Sequence, residues 1–273
     1  MATLLQLADQ HRTAQDRIRR LVEAYVKATY ARAMSPNNAQ PLAAEWIARV
    51  IPVILAYRAQ SEALAEVMYG RQRALLYPNE SPLTGIDADP IDYETIAISL
   101  RATGLSGLID RVNAGRPVPD AMAAAAEEAA GAGVRHALNG GRSWSVNAVE
   151  RDRLAIGWYR VTKGEPCSFC AVLASRGPVY KEDSFDQSDP RFEGEGDQKV
   201  HDHCACTLAP IYRRDQPLSD RTGEFMQLWE SSRIADERDV ATGKAPRVGH
   251  QFSGNDALNS FRRRYERLHP TTR

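Results

Sequence analysis

HDHCAC, residues 201–206, packs two histidines and two cysteines into six positions, and the only other cysteines stand together in PCSFC, residues 166–170. All four thiols of a 273-residue chain therefore fall in two tight clusters. How these clusters are read decides the fold of the C-terminal half: a metal-stapled module, an enzyme with a thiol nucleophile, or a disulfide-bonded unit. No apolar run approaches the roughly 20 residues needed to span a bilayer. MATLLQLADQHRTAQDRIRR, residues 1–20, has a charged amphipathic pattern and lacks the apolar core of a signal peptide. These features predict a soluble, cytosolic protein, and in that compartment paired cysteines serve metals or catalysis more often than disulfides.

Metal chemistry accounts for the spacing. Zinc takes four ligands in a tetrahedron and favours thiolate and imidazole. The C-x-x-C pair Cys167 and Cys170 follows Pro166 in a turn-forming context, and a tight turn brings two such thiolates to one ion. His201, Cys204 and Cys206 offer the second half, with His203 in reserve. Cys167, Cys170, His201 and Cys204 form the most regular set, and Cys206 can replace His201. The segment between the clusters then becomes a closed loop, which stabilises a polar stretch with little core.

The catalytic alternative pairs Cys167 or Cys170 with His201 or His203 as base, Asp202 orienting the imidazole. It leaves the paired spacing of the thiols unexplained. No G-x-S-x-G elbow supports a serine nucleophile at Ser168 or Ser175.

Around the clusters, GWYRV (157–161), RGPVY (176–180) and LAPIY (208–212) read as short strands. The acidic stretch KEDSFDQSDPRFEGEGDQKV, residues 181–200, reads as a solvated loop. Its Glu193-Gly-Glu195 matches the E-x-E of ADP-ribosyltransferases without the companion Ser-Thr-Ser strand.

Upstream the pattern is helical. Leu4, Leu7, Ile18, Leu21, Val22, Tyr25 and Tyr30 recur at three- and four-residue steps over 3–33, and a second run extends from about Leu42 to Leu76, with Pro52 expected to end or kink it. Residues 77–90 read as a linker. A helix over 91–112 and an alanine-rich one follow, the latter N-capped by Asp120 and stopped at Asn139-Gly140-Gly141, with His136 a capping or packing residue. At the C-terminus a helix over 219–236 and another near 255–268 are expected. Leu258, Phe261, Tyr265 and Leu268 mark the packed side of the second, and Arg262, Arg263, Arg264 and Arg267 form a basic outer face.

The fold class is α+β, mainly α. It divides into an N-terminal helical region (1–84), mid-chain helices (85–143), a Cys/His module containing β-structure (144–212) and a polar tail with short helices (213–273). Lysine plus arginine equals aspartate plus glutamate, 35 of each, so no global field draws the chain to nucleic acid or an anionic membrane.

The order W-Y-R-V, C-S-F-C-A-V-L-A-S-R-G-P-V-Y and H-D-H-C-A-C-T-L-A-P-I-Y resembles the C-terminal domain of the phage Mu protein F-like head morphogenesis proteins. Cys167, Cys170, Leu173, His201, Cys204 and Cys206 fall on that family's pattern. Asp202 stands where proline is usual and Ala205 where arginine is usual, and His203 has no counterpart. The resemblance implies a minor capsid protein of the virion, entering the prohead near the portal with scaffold and major capsid protein. The form of the motif is similar to actinobacteriophage proteins labelled capsid maturation protease, a peptide hydrolase activity. Contact of Arg262, Arg263 and Arg264 with packaged DNA is a third expectation.

Overall fold

The computed structural model describes residues 2–34, 39–162, 164–181, 202–241 and 255–269. His201 and the Glu193–Glu195 pair lie outside the described residues. The described chain is mainly helical with one small antiparallel sheet, the α+β class expected, and it forms two compact units.

The helical unit comprises Asp9–Ala148 with Val200–Ala205. Helix α1 spans Leu4–Ala33 and α2 spans Ala39–Leu76. Their apolar stripes meet in a core that includes Ile18, Val22, Val26, Tyr30, Trp46, Val50, Ile51 and Ile54. Helix α2 does not stop at Pro52. The ring is exposed, and the packing of both flanking turns outweighs the one hydrogen bond that proline removes.

The expected single helix over 91–112 is instead α3 (Tyr93–Leu100), a π-helical turn (Arg101–Ser106) and α4 (Gly107–Asn113). Asp92 caps α3, its carboxylate accepting the Thr95 N–H at 2.6 Å. The π turn carries Gly104, whose carbonyl accepts the Tyr30 hydroxyl at 2.7 Å. A Cβ at Gly104 would stand 3.2 Å from the Tyr30 ring and 3.4 Å from Trp46. The turn is thus anchored where two large aromatic rings press on its backbone.

Helix α5 runs Val118–Arg151 without interruption, which overturns two expectations. Asp120 is not the N-cap. The helix already begins at Val118, Pro119 sits in the first turn where its missing N–H costs nothing, and Asp120 favours the helix as a first-turn charge. Asn139-Gly140-Gly141 does not end the helix either. A Cβ at Gly140 would lie 2.4 Å from the Arg58 carbonyl oxygen, and one at Gly141 would lie 2.7 Å from the Ser61 carbonyl oxygen. These glycines are contact points against the α2 backbone. Ser61 Oγ closes the joint, donating to Gln15 Oε1 at 2.7 Å and accepting the Gly141 N–H at 3.1 Å.

Among the described residues two histidines of this unit are buried. His11 Nε2 lies 3.0 Å from Gln15 Nε2. His136 sits mid-helix in α5, so it packs and does not cap, and among the described residues neither of its ring nitrogens has a hydrogen-bond partner. Burial pushes both imidazoles down to about 4.

The second unit comprises Met1–Ala8, Val149–Lys199 and Cys206–Arg273. Its sheet has the order β2-β1-β3, with β1 Gly157–Val161, β2 Val179–Tyr180 and β3 Thr207–Ile211. Strand β1 pairs antiparallel with both neighbours, Trp158 opposite Val179 and Pro210, Arg160 opposite Leu208. One face buries Tyr159, Val161, Ala209 and Ile211 with Ala8. Helices α6 (Ser168–Ala174), α7 (Asp220–Ala241) and α8 (Asn255–Leu268) share a second cluster of Ala171, Val172, Ala174, Phe225, Phe261 and Tyr265. Leu268, expected on the packed side of α8, is 65% exposed because the helix ends there beyond its last buried ring, Tyr265.

Gly140→Ala should destabilise the protein by about 1–3 kcal/mol in urea denaturation, the cost of overpacking against backbone. Gly70→Ala, on an α2 position with nothing within 4 Å of the added methyl, should instead stabilise by up to about 1 kcal/mol.

The histidines give a pH signature of definite sign. Their folded values lie below the unfolded 6.5, so the native state binds fewer protons than the unfolded state between pH 6.5 and about 4. Their contribution is full above pH 6.5 and declines as pH falls to about 4, with a slope up to roughly 1.4 kcal/mol per pH unit for each histidine. His11→Leu should flatten one share of that slope in denaturation curves taken from pH 7 to pH 5.

Candidate metal centre

Three of the four cysteines, Cys170, Cys204 and Cys206, are buried, and Cys167 is exposed. None of the four is in a disulfide. Cys167 stands at the N-cap of α6 in extended conformation, and its Sγ accepts the Cys170 N–H at 3.4 Å. The C-x-x-C spacing is therefore realised as a helix start: Cys167 ends the approach from β1 and Cys170 lies on the first turn. Cys206 precedes β3, two residues before Leu208, so it extends the strand face on which Leu208 pairs with Arg160. Cys204 is two residues earlier again.

The ligand atoms of Cys170 and Cys206 are within 4.8 Å of one another, and with Cys204 they make a buried three-thiol group that could hold a metal ion. Tetrahedral zinc–thiolate bonds of about 2.3 Å place sulfurs roughly 3.8 Å apart, inside the 4.8 Å within which these thiols lie. Soft, buried sulfur donors suit zinc better than the hard cations that take oxygen. The described residues thus offer three buried thiols that could hold a metal ion.

His203, the residue without a counterpart in the sequence pattern, is placed away from the thiol group. Its backbone is left-handed at φ 63°, and its N–H points to the Gly131 carbonyl at 3.4 Å. The ring Nε2 lies 3.9 Å from Glu127 Oε1. Glu23, Glu127 and His203 form a second close group. There Lys27 Nζ bonds Glu23 at 2.8 Å and also Glu127, and Arg19 bonds Glu23 at 2.6 Å. Burial alone would raise the Glu23 carboxyl, but the hydrogen bond and charge of Lys27, with Arg19 and His203, hold it below its usual value. With a lysine between the two carboxylates, this group is a neutralised ion-pair network. Asp202, proposed from sequence to orient a catalytic imidazole, instead binds Arg135 Nε at 2.7 Å.

A different histidine is held by a residue that stands close to the exposed thiol in sequence. Glu165, two residues before Cys167, holds His269 Nδ1 at 3.0 Å and Arg221 at 2.9 Å. The His269 ring packs on Tyr265, centroids 4.5 Å apart, and the Tyr265 hydroxyl donates to the Pro166 carbonyl. Burial, with Glu165 next, raises the Tyr265 hydroxyl well above its ordinary value. Sequence reading missed Glu165 and His269 because they stand about 100 positions apart. The one signal was a histidine one turn beyond the apolar stripe of α8.

The fold and the thiol group together define a mainly helical protein with a small sheet and a sulfur site able to take a metal. The chain belongs to the VG15 protein family, whose profile matches residues 3–232. It is similar to the Gene 15 protein of Mycobacterium phage D29, 24% identical over 252 residues that cover 82% of this chain and 87% of that protein. These two findings support a bacteriophage origin. No solved structure matches the chain. Among the described residues no helix is long and apolar enough to cross a membrane.

Thiol labelling of the metal-free protein should show one fast cysteine and three slow ones. Cys167→Ser should abolish the fast phase. If adding zinc slows Cys167, its thiol takes part in metal binding; an unchanged rate excludes it.

Proposed function

We propose that the chain is a head morphogenesis protein of a tailed phage, a minor capsid protein of the Mu protein F-like type acting in the prohead near the portal. The buried thiol group Cys170, Cys204 and Cys206 carries this reading, because it gives the family-like cysteine pattern a structural use. In it, zinc held by these residues and by Cys167 or His201 is a staple. When bound, the ion closes the segment between the two clusters and supplies folding free energy without any catalytic step. The VG15 family match and the likeness to a mycobacteriophage protein support the phage setting. Portal, scaffold and major capsid protein are the partners this reading names, with the virion, or the host cytoplasm during assembly, as the location.

Capsid maturation protease is the second reading, and one observation favours it: the exposed thiol and the oriented imidazole occur in one unit. In that case Cys167 is the nucleophile, His269 the base and Glu165 the group that orients it, in place of the Cys167 or Cys170 with His201 or His203 suggested by spacing. Packaged DNA as a partner gains less support. Arg262 and Arg263 are exposed, but Arg264 is turned to the Ser231 carbonyl at 3.2 Å, and Glu266 interrupts the basic face.

The purified chain should contain one equivalent of zinc by elemental analysis, and a strong chelator should lower its melting temperature. Cys206→Ser should reduce bound zinc at least tenfold at micromolar metal. Metal-free native protein, unaffected by chelator, would refute the staple. Mass spectrometry of proheads and virions made from the phage that encodes the chain should find it at low copy. Its absence from both would refute the head role. Cleavage of scaffold or coat protein that is lost in Cys167→Ala and His269→Ala would establish the protease reading.

A further inference from the structure

The segment that carries Cys204 is fastened to one stripe of α5. Asp202 Oδ1 accepts from Arg135 Nε at 2.7 Å. The His203 N–H points to the Gly131 carbonyl, and its ring lies so close that a Cβ on Gly131 would meet Nε2 at 2.5 Å, Cδ2 at 2.6 Å and Asp202 Cβ at 2.9 Å. The Cys204 carbonyl accepts from Arg142 Nη2 at 2.5 Å, and Arg142, 2% exposed, is further fixed by Asn139 Oδ1 at 2.8 Å. Positions 131, 135 and 142 are four and eleven residues apart, so they fall within about 40° on one side of a helix. Three successive residues of the segment thus meet three aligned positions of one rigid element.

We propose that Gly131, Arg135 and Arg142 are positioning residues that present the Cys204 thiol to the metal, and that His203 is the anchor of this attachment and neither a ligand nor a base. The inference rests on the zinc reading above. A chelate whose ligands are already ordered forgoes the conformational entropy of fixing them on binding. Partners that orient ligands in this way are worth about 10–100-fold in metal affinity when removed. Gly131 permits the close approach, Arg135 fixes the residue before the anchor, and Arg142 fixes the ligand residue itself. The left-handed backbone at His203 turns the chain from the Asp202 contact back toward Cys204, and the ring seated over Gly131 keeps that turn in place.

The test uses the full chain and measures zinc affinity by competition with a chromophoric chelator. Gly131→Ala should weaken zinc binding 10–100-fold. It should lower the melting temperature of the metal-free protein less than Gly140→Ala does, since the added methyl meets side chains and not backbone, and alanine is the better helix former. That contrast separates positioning from a general loss of structure. Adding His203→Gly to Gly131→Ala removes the ring and accommodates the positive φ, and should recover part of the affinity. Arg142→Lys should retain more affinity than Arg142→Gln. In the metal-free wild type, hydrogen exchange should show residues 202–205 protected, and Gly131→Ala should lose that protection.

Wild-type zinc affinity in Gly131→Ala would overturn the positioning role while leaving the zinc staple intact. A wild type that binds no zinc would overturn the staple, and the positioning proposal with it. Unprotected residues 202–205 in metal-free protein would overturn the attachment whatever the zinc result.

Discussion

The close approach of α5 to α2 governs the helical unit. Two glycines bring a carbon within van der Waals range of the Arg58 and Ser61 carbonyls, a separation no side chain would allow. Gly133, two turns before Gly140 on the same side, lets Val22, Val26 and Ile54 reach the α5 backbone, at 3.2–3.5 Å from where its Cβ would stand. The alanines at 125, 129, 130, 132 and 137 continue this policy at full burial. Such a helix contributes little side-chain volume of its own. Its stability comes from the large residues of α1 and α2 that it admits to contact, and from hydrogen bonds such as Ser61 to Gly141 that can form only at this distance.

That constraint explains which parts of the fold were legible in the sequence. Amphipathic periodicity located α1, α2, α7 and α8, and β-branched or aromatic bursts located the three strands within one to three residues. Glycine and proline were misread where they serve packing. Local preference treats Asn139-Gly140-Gly141 as a stop, because an isolated helix gains nothing from glycine there. The partner backbone of α2 supplies the gain, and no window of sequence contains both. The π turn at 101–106 was hidden for the same reason: the hydroxyl that bonds its Gly104 carbonyl belongs to Tyr30, 74 residues upstream.

The thiol site was legible in part. Cysteine and histidine content and spacing identified the two clusters, and burial separates their members in a way that spacing cannot. Cys170, Cys204 and Cys206 are withdrawn from solvent while Cys167 remains exposed. His203 illustrates the limit of composition. Histidine beside cysteine reads as a ligand, yet the structure shows a left-handed backbone at this position and a ring packed against Gly131. Nothing in the six residues themselves carries that information; the glycine that permits it lies 72 positions upstream.

Seen from α5, the two findings are one physical device used twice. Gly133 and Gly140 are seven residues apart and share a side of the helix, whereas Gly131 lies roughly half a turn away from them. The same helix is therefore thinned on opposite sides, once to admit a neighbouring helix backbone and once to admit the turn at 202–203. On the Gly131 side stand Arg135 and Arg142, long side chains whose guanidinium groups reach the carboxylate and carbonyl of the admitted turn. A glycine makes room for an approach but cannot hold it. An arginine holds it but cannot make room. The alternation of the two along one face is what allows a short polar segment, with no apolar residue between Asp202 and Cys204, to be fixed against a helix.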